Sequence, residues 1–510
     1  MAVRDHDGIV LDKFNGLYDR GDVDTVPKDH FTDSLNLKHI STSSFGTRDG
    51  VDLSQDVVVP LSNVRRFYNY PTPTGQTLIV LCIDAITGDG EIFHVVDSGL
   101  VYGPILTLAG MEDFVFIPYA GRAYISPIGF YTITDLKLGD LNIEKGLDNE
   151  FLYVYAGDGT PARKAAGVAL SGSLTIFNGI AGATDPGFHL FGFVAETDTG
   201  YLTPPGAITG FTTAAASSVS FTTVPTSGSP TITKRHLVST KVITNYNGNT
   251  TGYQFFFVPN ATINNNIDNF LLNISFFDAD LLEDASHLLD NYSEIPAGAT
   301  LALYHNRLIL GATFDDPSIY LVSALGEPEA IDQISGLLVV PPDGNPLTNG
   351  AELRDIWYGF KRTKTVAFVD NGDVPSSWPM TFIDNALGAS VHGITTVLDS
   401  GSASVDALII ANYAGIILFN GTYIAPELSW KVQNLWATQD RNEFRKIQMV
   451  NDPVTQQILC IIPDQRVLCG NYLNGMNAKN IRWEPWGFHR NINTICIVNI
   501  SDIILGMDLL

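Results

Sequence analysis

The stretch Leu301-Ala-Leu-Tyr-His-Asn-Arg-Leu-Ile-Leu310 decides the fold. Two short runs rich in leucine, isoleucine and tyrosine flank His305-Asn306. A two-residue turn that contains asparagine between two apolar runs is typical of a β-hairpin. The sequence therefore predicts two antiparallel strands that are joined at His305-Asn306.

The same strand–turn–strand pattern recurs along the chain. It is found in Phe114–Ile125 (turning at Tyr119-Ala-Gly121), Ile356–Asp370, Asp406–Gly421, and Ile458–Pro463 followed by Val467–Tyr472. Between Tyr304 and Tyr472 the pairs recur at roughly 45 to 60 residues, a period typical of propeller blades, which are four-stranded sheets. The pattern predicts an all-β fold: a β-propeller of six to eight degenerate blades. Residues 1–164 would hold the N-terminal segment and first blades, and residues 298–510 the remaining blades and closing strands.

Residues 165–297 interrupt the period. Phe188–Pro205, His236–Ile243 and Tyr253–Val258 each have the alternation of a strand, whereas Thr212–Ser229 is a Thr/Ser/Ala-rich patch that we expect to be flexible. About seven short strands in roughly 130 residues is the spacing of a sandwich. The segment is predicted to be an inserted immunoglobulin/fibronectin-like β-sandwich domain. Apolar residues at helical spacing in Asp280–Leu289 predict a helix that returns the chain to the propeller.

Composition narrows the functional classes. Of the 510 residues, 45% are hydrophobic and 16% are charged, against about 25% charged in an average soluble chain. Fifty-four acids and 29 bases give a formal net charge of −25. Nucleic-acid binding depends on Lys and Arg side chains that neutralise phosphates. We therefore expect no specific binding of DNA or RNA and no adsorption to an anionic membrane.

The cysteines and the longest apolar runs indicate where the protein resides. Cys82, Cys460 and Cys496 lie in strand-like apolar runs, and with Cys469 they show no CxxC or Cys/His spacing, so buried thiols are expected rather than zinc ligands. The segment Met1–Gly8 is polar and lacks the apolar core of a signal peptide. No apolar run reaches the roughly 18 residues that span a bilayer. The expectation is a protein made in a host cytoplasm, without membrane insertion, metal or cofactor.

Several phrases, taken in order, resemble the tail nozzle proteins of short-tailed bacteriophages. They are Phe14–Gly21, Asp29–Leu37, Gly46–Gly50, Asn306–Leu308, Asp315–Tyr320, Gly326–Glu329, Ala414–Gly421 and Arg482–Trp486. The resemblance implies a virion protein that forms a homo-oligomeric ring, a hexamer, at the distal end of the tail. It further implies contacts with a tail adaptor or tube protein and with tail fibres or spikes. Genomic DNA would pass through the ring without specific binding.

A propeller-based module that binds or cleaves glycans is the alternative. Glycosidases need a pair of carboxylates, and sialidases need a tyrosine nucleophile beside an arginine cluster. The sequence has no Ser-x-Asp-x-Gly-x-Thr-Trp box, no Gly-x-Ser-x-Gly elbow and no His-Glu-x-x-His motif. Its arginines are scattered. We therefore predict no catalytic residues and no enzymatic activity.

Three further segments deserve a structural interpretation. Asp5–Gly8 and Asp370–Asp373 have the look of calcium loops, but the twelfth position of the first is Gly16, where an EF-hand needs a bidentate acid. Both are interpreted as turns. Arg482–Trp486 with Phe488-His489 could stack on sugars or bases, but aromatic residues of this kind are more typical of blade cores.

Overall fold

The computed structural model describes residues 37–41, 44–47, 63–72, 75–96, 100–135, 139–167, 170–229, 231–267, 271–397, 407–473, 475–487, 492–498 and 502–507. Within these ranges the strands form ten sheets, and every pairing between named strands is antiparallel. The all-β class predicted from the sequence is confirmed.

The N-terminal half of the described chain begins with a hairpin and continues with two larger sheets. The hairpin is β1 (Leu37–Ser41) and β2 (Ser44–Thr47); the first four-stranded sheet is β3 (Val64–Thr72), β4 (Gly75–Ile83), β5 (Gly90–Val95) and β6 (Val101–Leu108); the second is β7 (Asp113–Tyr119), β8 (Arg122–Asp135), β9 (Gly139–Gly146), β10 (Tyr153–Tyr155) and β11 (Arg163–Lys164). The first sheet pairs in chain order. In the second, β8 pairs with β7, β9 and β10.

Two sheets of a different arrangement follow. Their strands are β12 (Thr175–Ala181), β13 (Gly187–Thr197), β14 (Thr209–Thr213), β15 (Ser217–Thr223), β16 (Ile232–Thr240), β17 (Phe255–Ile263) and β18 (Leu271–Ile274). The orders are β12-β15-β18 and β14-β13-β16-β17. Each sheet combines strands that are not consecutive in the chain, unlike the simple chain-order sheets on either side.

Four more four-stranded sheets, each paired in chain order, and a final pair of strands complete the described chain. They are β19 (Gly298–Tyr304), β20 (Arg307–Thr313), β21 (Ile319–Val322) and β22 (Leu337–Val339); β23 (Leu347–Leu353), β24 (Ile356–Lys361), β25 (Thr365–Phe368) and β26 (Met380–Asp384); β27 (Ile394–Val397), β28 (Ala407–Ala411), β29 (Ile416–Phe419) and β30 (Tyr423–Ile424); β31 (Gln448–Asp452), β32 (Gln457–Ile461), β33 (Val467–Asn471) and β34 (Arg482–Trp486); and the pair β35 (Ile492–Val498) and β36 (Asp502–Met507).

Two of the hairpins that were predicted from their turn residues are confirmed. β19 and β20 turn at His305 and Asn306, whose φ angles are 46° and 57°. β7 and β8 turn at Ala120 and Gly121, with φ of 49° and 74°. Positive φ at both central residues is the geometry whose twist matches that of paired strands.

The first strands of sheets that follow one another along the chain contact each other in pairs, and the region of these contacts is called the centre below. β3 packs against β7, β7 against β19, and β19 against β23, while β27 packs against β31 and β31 against β35. Thr348 Oγ1 bonds the carbonyl of Ala389 (2.8 Å) and so links β23 to the segment before β27. β35 in turn packs against β3, so the last described strands return to the first sheet.

The two sheets of residues 175–274 pack face to face. Their shared apolar interior includes Phe191 and Phe193 of one sheet and Val219 and Phe221 of the other, all fully buried. The seven described strands match the predicted number. Their order differs from an immunoglobulin domain, which places ABED in one sheet and CFG in the other. The predicted boundaries at residues 165 and 297 stay a prediction.

Two local expectations are wrong. Asp280–Leu289 is not one helix: the structure has 3-10 helices at Asp278–Asp280 and Ser286–Asp290, because the backbone between them bonds the edge strand β17, with Ala285 N donating to Phe255 O (2.9 Å). The Thr212–Ser229 patch contains strand β15, held by the burial of Val219 and Phe221.

The remaining helical elements of the described residues lie in the C-terminal part and were not predicted. They are α1 (Gln433–Ala437) and the 3-10 helices Pro375–Ser377, Leu428–Val432 and Arg441–Lys446. None of the helices among the described residues is both long and apolar enough to cross a bilayer.

Candidate functional site

A buried ion pair lies at the centre. Arg66 on β3 donates from Nε to Asp113 Oδ1 (3.0 Å) and from Nη2 to Asp113 Oδ2 (2.7 Å). Both side chains are at most 5% exposed. A two-point contact of this kind fixes the orientation of both planar groups. It thereby holds the first sheet against the start of the second.

His392 adds a second contact to the same carboxylate. Its Nε2 lies 3.0 Å from Asp113 Oδ2, and its Nδ1 lies 3.0 Å from the hydroxyl of Tyr68. Because a carboxylate only accepts hydrogen bonds, the proton of the neutral ring belongs on Nε2. Tyr68 then occupies the acceptor side of the ring.

Gln448 links the ion pair to the last described strands. Its amide oxygen accepts from Arg66 Nη1 (2.9 Å), from Thr494 Oγ1 (2.9 Å) and from the backbone nitrogen of Ile495 (3.1 Å). We call Arg66, Asp113, His392, Tyr68 and Gln448 the central cluster. Its members lie in four separate parts of the chain. They bond one another and also neighbouring groups, including Phe114 O, Thr494 Oγ1 and Ile495 N.

Burial and charge shift the titrations of this cluster. Burial, together with the charge of Arg66, lowers the pKa of His392 below its ordinary value. Burial alone would raise the pKa of Asp113, but Arg66 and His392 outweigh it and hold that pKa well below its usual range. The favoured state is therefore a charged Arg66–Asp113 pair beside a neutral imidazole.

A cavity of about 100 Å³ lies beside the central cluster. Its lining includes the four bases Arg65, Arg66, Arg445 and Lys446 and the two acids Glu112 and Asp113. A second cavity, of about 10 Å³, is lined by Arg445 on one side and by Arg362 and Glu144 among others. Arg445 thus faces both cavities. The larger one has room for several water molecules or a small ion.

A second buried cluster joins the segment of β12–β18 to the chain-order sheets. Glu329, which is 1% exposed, accepts from Arg163 Nη1 (2.7 Å) and Nη2 (2.9 Å), from Thr199 Oγ1 (2.6 Å) and from the nitrogen of Ala166 (2.7 Å). Arg163 also bonds Asp198 (2.8 Å). We call Arg163, Asp198, Thr199 and Glu329 the junction cluster, because Asp198 and Thr199 belong to the turn after β13.

The structure describes two of the segments that were interpreted from the sequence. Asp370–Asp373 is a turn, with Gly372 at φ 84° and its nitrogen bonded to Asp370 Oδ1 (2.8 Å); it lies in the longer connection from β25 to β26 rather than in a tight hairpin. Asp5–Gly8 and Phe488-His489 lie outside the described residues. Arg482–Trp486 is strand β34 and is wholly buried, and Trp483 packs over Gly470 and donates to Leu428 O (2.6 Å). Its interpretation as core is confirmed.

The cysteine expectation also holds. Cys82, Cys460 and Cys496 are buried and in no disulfide, and Cys469 is buried on β33. Burial raises the pKa of Cys82 and of Cys496 to about 12, so these thiols stay protonated and unreactive near neutral pH.

One exposed group of metal-ligating types occurs among the described residues. His305, Glu352 and Asp355 each place one ligand atom within 4.8 Å of the others, at two neighbouring hairpin turns. Exposed acids commonly gather without an ion, and the shortest contact from His305 Nε2 to these two, 3.6 Å to Asp355, is longer than a hydrogen bond. The group is noted as a surface feature.

The comparisons with known proteins leave the family open. No protein-family model matches the chain, and no curated protein matches it. Solved structures with some likeness include the extracellular domain of a putative one-component system from B. thetaiotaomicron (9% identity, 91% of this chain and 65% of that one, TM-score 0.28). Others are Sqt1 of Saccharomyces cerevisiae (9%, 70% and 72%, 0.26) and Hsv2 of Kluyveromyces lactis (10%, 83% and 98%, 0.28). TM-scores this low carry no argument about fold or function.

Sequence patterns missed both clusters. Arg66 and Asp113 are 47 residues apart, and Arg66 and Gln448 are 382 apart, so no local motif connects them. The strand gives little local signal, because Arg66 stands beside a second arginine, Arg65, which is exposed. Nothing in the sequence shows which of the two is buried or what its partner is.

Proposed function

We propose that the five chain-order sheets and the β7–β11 sheet form a β-propeller, with the pair β35–β36 as an incomplete seventh blade and the β12–β18 segment inserted after the second blade as a β-sandwich. Support comes from the contacts between successive first strands and from the packing of β35 on β3. A blade cannot bury both of its faces alone, so neighbouring blades must cover each other. The inserted segment has its own interior and is attached through the junction cluster.

We propose further that the protein is a structural component of a virion, forming the distal nozzle of a short phage tail. In this role it lines the exit channel and helps to retain and release the genome. The ordered phrases from Phe14–Gly21 to Arg482–Trp486 remain the basis of this proposal. Its partners would be further copies of the chain, a tail adaptor or tube protein, and fibres or spikes.

The distribution of charge is the observation that carries the proposal. Among the described residues, seven bases are buried (Arg66, Arg163, Arg235, Lys361, Arg362, Lys431, Arg482) against five acids (Asp113, Glu144, Glu329, Asp452, Glu484). The interior therefore takes more bases than acids from a chain whose net charge is −25. The whole acidic excess is left outside the buried set. A surface of this sign repels a duplex rather than holding it.

The centre of each chain supports a channel between copies rather than through one chain. Arg66, Asp113, His392 and Gln448 bridge the inner strands there, and the cavity beside them is about 100 Å³. A duplex cannot enter a space of that size. The alternative, a glycan-cleaving module, needs carboxylates that are available for chemistry, whereas Asp113 is committed to Arg66 and His392.

The first experiment measures assembly. Purified protein at increasing concentration is followed by light scattering and imaged by negative stain, with images of the source particle's tail in parallel. The resemblance implies a closed ring of six copies, which would use the same two faces on every subunit and leave no open edge. A monomer at high concentration that is also missing from assembled tails would contradict the proposal.

The second experiment measures adhesion to DNA. A labelled duplex is titrated with the assembled ring at physiological salt and followed by fluorescence anisotropy. We expect no measurable binding, because tight binding needs several cations facing the duplex and each would steepen the salt dependence. Sub-micromolar affinity that falls steeply with salt would mean that the channel wall is basic.

A further inference from the structure

The larger cavity at the centre is unusual for the charge of its lining. Four of its lining residues are bases, in a chain with 29 bases and 54 acids. Of the two acids there, Asp113 is already paired with Arg66 through two hydrogen bonds. Glu112 lies 3.7 Å from Arg445, and Glu443 contacts Arg445 at 3.4 Å and Lys446 at 2.9 Å. The cavity has a surplus of positive charge in an acidic protein.

Arg445 is short of acceptors. Its guanidinium lies 3.7 Å from Glu112 and 3.4 Å from Glu443, which are long distances for charge-assisted hydrogen bonds. Its Nε is buried and has no hydrogen-bond partner among the described residues. The side chain is nevertheless held in place, because it stacks over the ring of Phe130 at 4.4 Å. A guanidinium held in place beside the cavity, with only long contacts to carboxylates, has terminal donors available for an acceptor there.

A second arginine with an unused donor, Arg362, lines the neighbouring smaller cavity. Arg362 is 6% exposed; its Nη2 faces Glu144, while its buried Nη1 has no hydrogen-bond partner among the described residues. It lines the 10 Å³ cavity that Arg445 also lines. That smaller space holds at most about one water molecule. The larger cavity is thus the place for an ion, and a water beside Arg362 could extend its contacts.

We propose that the larger cavity binds a small tetrahedral oxyanion of the phosphate type. Arg65 and Lys446 would supply charge, and Arg445 would supply the directed donor. Arginine and lysine are the side chains that proteins use for phosphate, arginine through its planar fork and lysine as a point charge. The volume of about 100 Å³ suits one such group. This site does not depend on the role proposed in a phage tail.

The test is a calorimetric titration of the full chain with inorganic phosphate at constant ionic strength. We expect saturable binding with one site per chain. Arg65→Ala and Lys446→Ala should each weaken the affinity about tenfold, the effect of losing one contact to a charged group. Arg65 is exposed and has no hydrogen bond or ion pair among the described residues, so its removal should leave folding intact, which a thermal melt checks.

Arg441→Ala is the matched control. Arg441 lies on the same 3-10 helix as Arg445 and Lys446, but it faces the ring of Tyr413 and does not line the cavity. The Arg441→Ala substitution removes the same charge as Arg65→Ala, but it should leave the phosphate affinity within about twofold of that of the unmodified protein. An equal loss in this variant would reduce the effect to general attraction and overturn the proposal. So would the absence of saturable binding in the unmodified protein.

A parallel titration with a dodecamer of oligothymidylate identifies the source of the oxyanion. If inorganic phosphate binds and the oligonucleotide does not, the site takes a free ion. If both bind and Arg65→Ala weakens both, the site accepts a phosphodiester of a nucleic-acid backbone, and the acidic-channel account then fails separately. Binding of the oligonucleotide without inorganic phosphate would contradict the proposed cavity.

Discussion

The central cluster and the junction cluster neutralise a buried arginine in different ways. Each buries a carboxylate, Asp113 or Glu329, against an arginine. Among the residues that the structure describes, Arg66 pairs with the carboxylate of Asp113 alone and completes its contacts with the amide of Gln448. Arg163 has two carboxylate partners, Glu329 and the more exposed Asp198. The centre thus depends on a single anion, whereas the junction shares its charge between two.

The difference has a physical meaning for stability and for mobility. Removing one partner of a buried pair leaves an uncompensated charge, which costs much more than the pair itself contributes. Among the described residues no second carboxylate forms an ion pair with Arg66, so the centre should respond as a unit. The junction offers a half-exposed substitute, so it should loosen locally before it unfolds.

The largest expected effect is at the centre. Asp113→Asn keeps the shape of the side chain but leaves Arg66 buried without its counter-charge. We expect a loss of about 3–5 kcal/mol in the free energy of unfolding, measured by denaturant melts. Glu112→Gln is the matched control, because Glu112 is 56% exposed and next in sequence. Equal losses in the two variants would show that the central pair has no special role.

A smaller effect is expected at the junction. Glu329→Gln should cost about 1–3 kcal/mol, the range for leaving buried donors poorly satisfied, because Arg163 keeps Asp198 at 2.8 Å. Hydrogen exchange should increase in Gly187–Thr197 and the following turn more than in β31–β34. Uniform exchange across the molecule would mean that the two regions are not separable. A double variant with Asp198→Asn should lose more than the two single changes combined, since Arg163 then has neither carboxylate.

The pH dependence should also distinguish the two regions. Burial lowers the pKa of His392, so below the ordinary histidine pKa of about 6.5 the unfolded chain binds a proton that the folded chain does not. The stability contributed by the neutral ring is complete above that pH and is lost as the pH falls towards the folded-state pKa. Thermal melts from pH 7.5 to 5 should therefore decline more steeply for the unmodified protein than for His392→Gln. Parallel curves would show that His392 does not titrate in this window.

The smallest effect is expected within the β12–β18 segment. Glu196 pairs with Lys234 and His236 at 2.7 Å on a half-exposed face of β13 and β16. Such pairs contribute about 0.2–1 kcal/mol, so Glu196→Gln should lower the free energy of unfolding by no more than that. The loss should shrink in 1 M salt, where surface charges are screened. A salt-independent loss above 2 kcal/mol would make this pair equivalent to the buried ones.

The sequence predicted correctly those elements that are determined by residues close together in the chain. The turns at His305-Asn306 and at Ala120-Gly121 follow from residues that tolerate positive φ between apolar runs. The helix predicted at Asp280–Leu289 is wrong because a distant part of the chain decides this segment. Its buried residues Leu281, Ala285 and Leu288 have helical spacing, but the backbone at Ala285 bonds the edge strand β17. A tertiary hydrogen bond overruled the pattern. Strand β15 was missed because only Val219 and Phe221 mark it among serines and threonines.

The candidate site lay beyond sequence reasoning because its contacts are not local. Arg66, Asp113, His392 and Gln448 come together only when four parts of the chain have packed. Composition foretold the acidic excess but not where the bases would go. The burial of the basic residues results from tertiary packing, and their spacing in the sequence does not predict it.

The meeting of β3 and β35 has a consequence for how the protein is made. The nitrogen of Phe67 donates to Thr494 Oγ1 (3.2 Å) across 427 residues of sequence. A ribosome adds about 5–20 residues per second, so β3 waits roughly 20 to 90 seconds before its neighbour exists. During that interval its flank is open to other strands, including those of sister chains on the same messenger. Contacts this distant also slow the folding search itself. The yield of correctly closed molecules should therefore be set by protection of β3 during synthesis, more than by the final stability of the centre.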